Sequence, residues 1–302
     1  MRKFLSFLAL CAVLLSLTAC GSSVTPAQPD DTGNAATQDD AAENASFLVL
    51  SQNICFSDYP GENSIANRTE RFRQLVQTYQ PDIISTQESN PGLCNIYQSL
   101  LGQTYTMIAE YPNESGLPTY GTSNTILYRT DRYELLETDT HWLSDTPGQK
   151  SQLEGSGGFR SCTWALLKDK LTGQAFIVCN THLDWGNAEI QQRQFQILWE
   201  LCADYFSKYP VIITGDFNAE PSSVLYAQIT EKLSDSYVTA LEKTATVEHT
   251  YHGFYQENEI PCRIDYCFFS EQLTADSYRI LTDQYGGYVS DHYGILTEFR
   301  LQ

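Results

Sequence analysis

The sequence predicts a mixed α/β domain in which β-sheets are covered by helices. Short apolar segments with β-branched residues, such as Val211-Ile212-Ile213-Thr214, alternate with helical segments in the first half of the chain. Strand-like segments cluster towards the end, which favours mixed sheets. The chain has 302 residues, of which 42% are hydrophobic and 18% charged, and its pattern contains no mid-chain linker or internal repeat. We therefore predict one domain from residue 47 to 302.

The N-terminal segment has the pattern of an export signal. Arg2 and Lys3 precede an apolar run at residues 4–17, which is shorter than a membrane-spanning helix and suits the core of a signal peptide. The small residues that follow, ending in Cys20, resemble a bacterial lipobox. We predict that residues 1–20 are a lipoprotein signal and that Cys20 is lipidated; a plain secretory signal cleaved nearby is the alternative.

Residues 21–46 consist almost entirely of small and polar side chains. Such a segment buries too little apolar surface to offset the entropy of ordering, so it predicts a flexible linker. A lipid at the start of this linker would hold the domain at a membrane surface. We expect an exported lipoprotein on the bacterial cell surface or on the periplasmic side of a membrane.

Helices are predicted where apolar residues recur at intervals of three and four. The first covers residues 65–79, and its apolar residues are Ile65, Phe72, Leu75 and Val76. Pro81 lies just beyond its end, where helix breakers are common. The longest covers residues 188–206, and its stripe consists of Ile190, Phe195, Leu198, Leu201, Cys202 and Tyr205. Shorter helices are predicted at residues 93–101 and 222–232.

Strands are predicted where short apolar runs are bounded by turn residues. In order they are residues 46–54, 82–88, 105–109, 123–128, 133–142, 162–167, 174–181, 211–215, 264–269, 277–281 and 294–301. The pair at 162–167 and 174–181 reads as a hairpin around Gly173. Residues 144–158 are rich in Pro, Gly and Ser and predict a surface loop over a site.

Charge and cysteine content narrow the classes of partner. The formal net charge is −19, and the sequence has no Lys/Arg cluster of the kind that neutralises a nucleic-acid backbone. Long nucleic acid is therefore disfavoured as a partner.

The cysteines show no disulfide pattern. Cys11 and Cys20 belong to the export signal, and several of the other seven cysteines lie in apolar runs typical of small buried side chains. The sequence does not identify a disulfide pair.

Polar residues stand at the ends of several apolar strands. They are Asn53, Glu88, His182, Asp216 with Asn218, and Asp291 with His292. Residues two apart on an extended chain point the same way, so Asp216 and Asn218 are expected to leave their strand side by side. Taken alone, this pair also fits a turn closed by its own side chains. Together, the strand ends predict a functional site at one edge of the sheets.

Six short motifs, in this order, resemble the endonuclease/exonuclease/phosphatase superfamily of phosphoesterases. They are Gln52-Asn53-Ile54, Gln87-Glu88, Asn180-Thr181-His182-Leu183-Asp184, Gly215-Asp216-Phe217-Asn218, Arg263-Ile264-Asp265-Tyr266 and Ser290-Asp291-His292. The resemblance covers about residues 47 to 301. It implies an α/β (α+β) fold, a four-layer α/β/β/α sandwich of two facing mixed β-sheets with the site at one end.

The resemblance also implies roles for the matching residues. The implied metal ligands are Asn53, Glu88 and Asp291, whose oxygen atoms suit Mg²⁺ and also Mn²⁺. The implied catalytic residues are His182, Asp216, Asn218, Asp265 and His292. His182 would donate a hydrogen bond to a phosphate oxygen, and Asp265 would orient the ring of His292. The sequence leaves open whether Asp216 or His292 is the general base.

Four further residues are expected to contact the substrate, namely Arg160, Asn180, Tyr251 and His252. The guanidinium of Arg160 suits a phosphate group, although a surface ion pair is the alternative. The predicted function is therefore a Mg²⁺-dependent, monomeric phosphoesterase that hydrolyses a small phosphodiester or phosphomonoester by activated water. The alternatives are a secreted nuclease and a non-catalytic, surface-binding lipoprotein.

Overall fold

The computed structural model describes residues 45–109 and 123–302, and it confirms two mixed β-sheets with helices. The strands are β1 (Ser46–Asn53), β2 (Ile83–Ser89), β3 (Tyr105–Ile108), β4 (Ser123–Arg129), β5 (Tyr133–Trp142), β6 (Ser161–Asp169), β7 (Ala175–His182), β8 (Val211–Asp216), β9 (Ser234–Asp235), β10 (Glu242–Thr244), β11 (Asp265–Phe269), β12 (Leu273–Leu281) and β13 (Gly294–Leu301). The helices are α1 (Ile65–Tyr79), α2 (Pro91–Leu101), α3 (Ala188–Phe206), α4 (Val224–Thr230) and α5 (Ser236–Thr239).

The strands form one sheet of seven and one of six. The first has the order β10-β12-β13-β1-β2-β4-β3, and the second has the order β5-β6-β7-β8-β11-β9. Phe47 of β1 stacks on Phe176 of β7 at 4.8 Å between ring centroids, so the central apolar core lies between the sheets. Two outer cores complete the four layers. Phe72 and Tyr97 of α1 and α2 cover the first sheet, and Phe195 of α3 packs into the core over the second.

Most predicted elements are present, with differences at their ends. Helix α4 is shorter than predicted because the Ser223 side chain accepts a hydrogen bond from the backbone N–H of Tyr226 and so caps it. Strand β12 begins at Leu273, four residues before the predicted start, and passes through an irregularity between Ala275 and Ser277. The sequence analysis missed β9, α5, β10 and a 3₁₀ turn at Gly253–Tyr255, which are too short to show a periodic pattern.

Several sequence predictions concern segments outside the described residues. The signal peptide, Cys20 and nearly all of the predicted linker precede residue 45, so they stay predictions. Among the described helices, none is both long and apolar enough to span a membrane. In the described part of the chain the seven cysteines form no disulfide, and all but Cys262 are buried.

Strand β8 approaches β7 closely at Gly215, just before the predicted catalytic Asp216. Gly215 has φ 150°, and a Cβ atom there would lie 2.0 Å from the carbonyl oxygen of Thr181. We expect Gly215→Ala to lower the free energy of unfolding by about 1–3 kcal/mol or more, because the two backbones must separate. Urea unfolding measures this, with Gly148→Ala as control because open space surrounds that position. Equal stability of the two variants would contradict the prediction.

Candidate active site

Strand register places three of the predicted catalytic residues side by side. In the parallel pair β7–β8, His182 lies opposite Asp216, and in the antiparallel pair β8–β11, Asp216 lies opposite Asp265. Side chains at paired positions on neighbouring strands share one face of the sheet. All three residues are buried. The strand register therefore places the imidazole of His182 and the carboxylates of Asp216 and Asp265 in a row across three neighbouring strands.

His292, which precedes β13, completes this row. Its Nδ1 atom lies 2.8 Å from Oδ2 of Asp265, and its Nε2 atom lies 3.8 Å from Oδ2 of Asp216. Burial alone would lower the pKa of His292, but the carboxylates of Asp265, Asp216 and Asp291 raise it to about 10. The ring therefore carries a proton on both nitrogens at neutral pH. In that state it can donate a hydrogen bond from Nε2 but cannot accept a proton.

Asp216 has the environment of a base poised near neutral pH. Its Oδ1 accepts a hydrogen bond from the backbone N–H of Asn218 at 2.9 Å, and its Oδ2 accepts one from Nδ2 of Asn53 at 3.0 Å. Burial, together with the negative charge of Asp265, raises the pKa of Asp216 to about 7. A carboxylate of ordinary acidity is thus made more basic by its position.

Three non-glycine residues in or next to the site have left-handed backbone conformations. These are Cys55 (φ 55°), Glu88 (φ 63°) and Asn218 (φ 51°). Glu88 lies in an irregularity of the β2–β4 pairing, between Thr86 and Ser89. Such bulges redirect a side chain, and strained backbone of this kind is concentrated at functional sites.

Glu88 and Asp291 form an acidic pair near this row. Burial raises the pKa of Glu88, and the charge of Asp291 raises it further. The two oxygens of Glu88 accept hydrogen bonds from Nδ2 of Asn53 at 3.2 Å and from the backbone N–H of Phe56 at 2.9 Å. Glu88 and the carboxylate of Asp291 beside it form a donor set that fits a hard divalent cation such as Mg²⁺.

Asn53 links the acidic groups through its amide nitrogen. Nδ2 lies between Glu88 and Asp216, while Oδ1 accepts a hydrogen bond from the backbone N–H of Cys55 at 3.0 Å. In this arrangement the oxygen faces the backbone, so a role of Asn53 as metal ligand stays a prediction. A second group of possible ligands comprises Asp216, Asp265 and His292, whose ligand atoms lie within 4.8 Å of one another.

His182 and Asn218 contact each other. Nδ2 of Asn218 donates to the carbonyl oxygen of Leu183 at 3.0 Å and lies 3.0 Å from Nε2 of His182. This network assigns Nε2 as the acceptor, which places the ring proton on Nδ1, a buried atom without a partner. Burial, with the charges of Arg160 and His292, lowers the pKa of His182 well below its usual value. The ring is therefore neutral, and its donation to a phosphate oxygen stays a prediction.

Arg160 precedes β6 and directs an unpaired guanidinium towards this site. Among the described residues no carboxylate lies within ion-pair distance of it, and its Nε atom is enclosed without a hydrogen-bond partner. The surface ion pair considered for Arg160 is therefore absent. Burial lowers its pKa, while the charges of Asp216, Asp184 and Glu88 oppose this effect. A partly buried cation with no partner among the described residues is less costly when an anion completes it, which suits a phosphate ligand.

The structure places Asn180 between the two sheets, and its predicted contact with the substrate stays a prediction. The residue is fully buried. Its Oδ1 accepts a hydrogen bond from Nε2 of Gln87 at 2.7 Å, and its Nδ2 donates to the carbonyl oxygens of Thr86 and Thr125 at 3.0 and 2.8 Å. Asn180 of β7 is therefore bonded to β2 and β4 of the facing sheet, and it holds the two sheets together beneath the site.

His252 lies behind the site, and its predicted contact with the substrate stays a prediction, whereas Tyr251 lies beside the site. His252 is fully buried, its ring lies 4.3 Å from that of Tyr293, and its backbone N–H donates to the carbonyl oxygen of Asp291. It therefore supports the Asp291 segment from behind. The ring of Tyr251 is partly exposed and lies 4.9 Å from that of His292, and its hydroxyl donates to Glu259.

Two buried glutamines of α3 were missed by the sequence analysis. Nε2 of Gln191 donates to the carbonyl oxygens of Asp184 and Asn218 at 2.7 and 2.8 Å. Oε1 of Gln194 accepts from the backbone N–H of Asp184 at 2.8 Å. A signal was present, because both glutamines fall on the apolar stripe that includes Ile190, where a polar residue needs a partner.

Comparisons with known proteins agree with this fold and site. The sequence model of the endonuclease/exonuclease/phosphatase family matches residues 50–292. A family structure from Bacteroides vulgatus has a TM-score of 0.79 at 27% identity, covering 85% of this chain and all of the other. A mannosyl-6-phosphatase from Bacteroides thetaiotaomicron has a TM-score of 0.74 at 26% identity, covering 84% of this chain and 99% of the other.

A curated sequence relative is nocturnin from Drosophila melanogaster, at 29% identity over 167 residues. That match covers 52% of this chain but only 24% of nocturnin. The fold and the site match those of the four-layer sandwich class, which contains phosphate-ester hydrolases. The chain belongs to the endonuclease/exonuclease/phosphatase family, whose members hydrolyse phosphate esters.

Proposed function

We propose that this protein is a metal-dependent phosphoesterase that hydrolyses a small phosphate ester, with a sugar phosphate as the first candidate substrate. The observation that carries the proposal is the cluster of His182, Asp216 and Asp265 in register, with the protonated His292 beside it. This cluster combines a base and a hydrogen-bond donor within one buried space, as general acid–base catalysis requires.

The proposed division of work follows from the protonation states. Asp216, with its pKa near 7, takes the proton from the attacking water. His292 donates from Nε2 to an oxygen of the phosphate as negative charge develops there. Asp265 keeps that ring charged and oriented through its 2.8 Å hydrogen bond. Arg160 supplies a second positive charge for the phosphate. Of the two candidates for general base, we therefore assign the role to Asp216.

We propose that Glu88 and Asp291, and Asn53 if its amide turns, hold a divalent ion, with Mg²⁺ first and Mn²⁺ second. When bound, such an ion polarises a phosphoryl oxygen and offsets negative charge. The raised pKa of Glu88 beside the charge of Asp291 supports this position, because a cation between the two carboxylates would offset that charge.

The preference for a small ester rests on charge, on the rim of the site and on a relative. The net charge of −19 disfavours long nucleic acid. Phe159, next to Arg160, and Trp185, three residues after His182, are 44% and 70% exposed, and such aromatic faces suit a ring attached to the phosphate. The Bacteroides thetaiotaomicron relative is a mannosyl-6-phosphatase.

We further propose that lipidated Cys20 places the enzyme, as a monomer, at a bacterial membrane surface.

A substrate panel tests the proposal. The purified chain is assayed with Mg²⁺ or Mn²⁺ against hexose phosphates, glycerol phosphate, bis-p-nitrophenyl phosphate, DNA and RNA. We expect turnover of one or more small esters and slow turnover of DNA and RNA. Efficient cleavage of nucleic acid would favour the nuclease alternative, and a lack of turnover with every substrate and metal would favour a non-catalytic binding protein.

Removal of the metal should stop turnover while leaving the fold intact. We expect EDTA to abolish hydrolysis, because the charge on the phosphate then lacks its main counterion, and added Mg²⁺ to restore it. Mg²⁺ should also raise the thermal unfolding midpoint of the native chain but not of Glu88→Gln, since an ion that binds only the folded state stabilises it. An equal shift in both proteins would contradict the assigned position.

A further inference from the structure

The side chain of Asp184 faces a loop rather than the substrate space. Its Oδ2 accepts hydrogen bonds from Oγ of Ser156 at 2.8 Å and from the backbone N–H of Gly157 at 2.6 Å. Its Oδ1 accepts one from the backbone N–H of Gly186 at 2.9 Å. These bonds keep the pKa of Asp184 below its usual value even though burial acts in the opposite direction. The residue is therefore a buried, ionised link between the loop before β6 and the loop after β7.

Gln194 of α3 holds this link from below. Its Oε1 accepts from the backbone N–H of Asp184 at 2.8 Å, and its Nε2 lies 3.4 Å from Oγ of Ser156. The side chain of Gln194 thus contacts both Asp184 and Ser156. The fit is close at Gly157, where a Cβ atom would lie 2.8 Å from Nε1 of Trp185. The link consequently has one defined geometry.

The linked loop leads directly to Arg160. Gly157 stands three residues before it, and Ser161, which follows, is fixed in β6 by a 2.8 Å hydrogen bond from Nδ2 of Asn124 to its carbonyl oxygen. Between these two points, Phe159 is exposed, and open space surrounds the Cα atom of Gly158. Among the described residues the Arg160 guanidinium has no partner. The Arg160 carbonyl oxygen accepts a hydrogen bond from the backbone N–H of Leu143 at 2.8 Å, so that side of the residue is held by the neighbouring chain, and the attachment at Asp184 holds the chain on the side that precedes Arg160.

We propose that Asp184, supported by Gln194, is a positioning residue that fixes Arg160 for binding a phosphate group. This inference rests on the proposed phosphoesterase function, because it assigns the phosphate to the same site. A guanidinium held in place binds an anion without first losing chain freedom, so the link increases affinity. Asp184 also partly balances the charge of Arg160 when no phosphate is bound.

A double-mutant cycle with inorganic phosphate tests the inference. The full chain, Asp184→Asn, Arg160→Ala and the double variant are titrated with phosphate in the presence of Mg²⁺ by calorimetry. Asn has nearly the same volume as Asp, but its NH₂ group would face the donors of Ser156 and Gly157. We expect Asp184→Asn to weaken phosphate binding about fivefold or more. In the Arg160→Ala background it should add little, because the residue that it positions is gone.

Controls separate this role from a loss of folding. Asp145→Asn makes the same change in the same loop, at an exposed residue that pairs with Arg193 on the surface, and should bind phosphate like the native chain. Ser156→Ala removes the hydroxyl that contacts Asp184 and Gln194 but keeps the bonds from Gly157 and Gly186 to Asp184, so it should give a smaller loss with an unchanged thermal midpoint. Where an ester is turned over, KM should rise more than kcat falls.

Three outcomes would overturn the inference. They are unchanged phosphate binding in Asp184→Asn, effects of Asp184→Asn and Arg160→Ala that multiply in the double variant, and a native chain that does not bind phosphate. Failure of the proposed function looks different. A chain that binds phosphate through Arg160 but hydrolyses no ester would refute the enzyme assignment and leave the positioning role of Asp184 supported.

Discussion

The Asp216→Asn variant is expected to lose about 10²- to 10⁴-fold in kcat while keeping its fold. Asn has the shape of Asp, and its Oδ1 can still accept the hydrogen bond from the backbone N–H of Asn218. Its amide cannot take a proton from water. Steady-state kinetics on any substrate found in the panel measures the loss, and circular dichroism checks the fold.

The same variant should change how stability depends on pH. Burial and Asp265 raise the pKa of Asp216 from 3.8 to about 7. Between these values the folded state binds more protons at Asp216 than the unfolded state does, so the native chain loses stability as pH rises through this window. The amide introduced by Asp216→Asn has no such titration. We expect the free energy of unfolding of the variant, minus that of the native chain, to increase from pH 4 to pH 7 in metal-free buffer.

Asp131→Asn is the matched control for both measurements. This aspartate is exposed and pairs with Arg129 on the surface, so its loss should leave kcat unchanged and have only a small effect on stability. Turnover by Asp216→Asn within a few-fold of the native chain would remove Asp216 from the role of general base. A stability difference that stays constant with pH would show that its pKa is not raised.

The sequence could predict the catalytic row because its residues follow a physical rule. Polar side chains at the ends of apolar strands do not contribute to core packing. The corresponding ends of parallel neighbouring strands such as β7 and β8 lie at the same edge of the sheet. His182 and Asp216 were therefore recognisable before the structure was known. The four-layer arrangement came from the family resemblance, since alternation of strands and helices predicts covered sheets but not how many sheets there are.

Other parts of the site depend on contacts between residues far apart in the chain. Asn180 lies two residues from His182, and Asn218 likewise lies two residues from Asp216. The side chain of Asn180 nevertheless contacts carbonyl oxygens of the facing sheet. Spacing along one strand cannot distinguish a side chain at the edge from one between the sheets. Asp184 likewise follows a catalytic motif, but its partners lie about 27 residues earlier and ten residues later in the chain.

The protonation states show most clearly what only the fold can provide. His252 and His292 are both buried histidines, but aromatic rings surround the first, whereas carboxylates lie beside the second. Burial lowers the pKa of His252 to about 4, and Asp265 reverses that effect at His292, where the pKa is about 10. Of these two histidines, His252 is neutral and supports the site, and His292 is charged and lies in it. No local sequence pattern separates the two cases.

Replacing Asp265 with Asn should therefore disable the site through His292. The introduced amide can keep the hydrogen bond to Nδ1 but lacks the charge, which is the largest influence that raises the pKa of His292. We expect that pKa to fall towards the ordinary value, so that the ring loses its proton at neutral pH and kcat falls about 10²- to 10⁴-fold. NMR titration of the His292 ring in the metal-free protein reports the pKa separately from activity. A lost activity with an unchanged pKa would mean that Asp265 acts by some means other than the charge of His292, for example as a metal ligand.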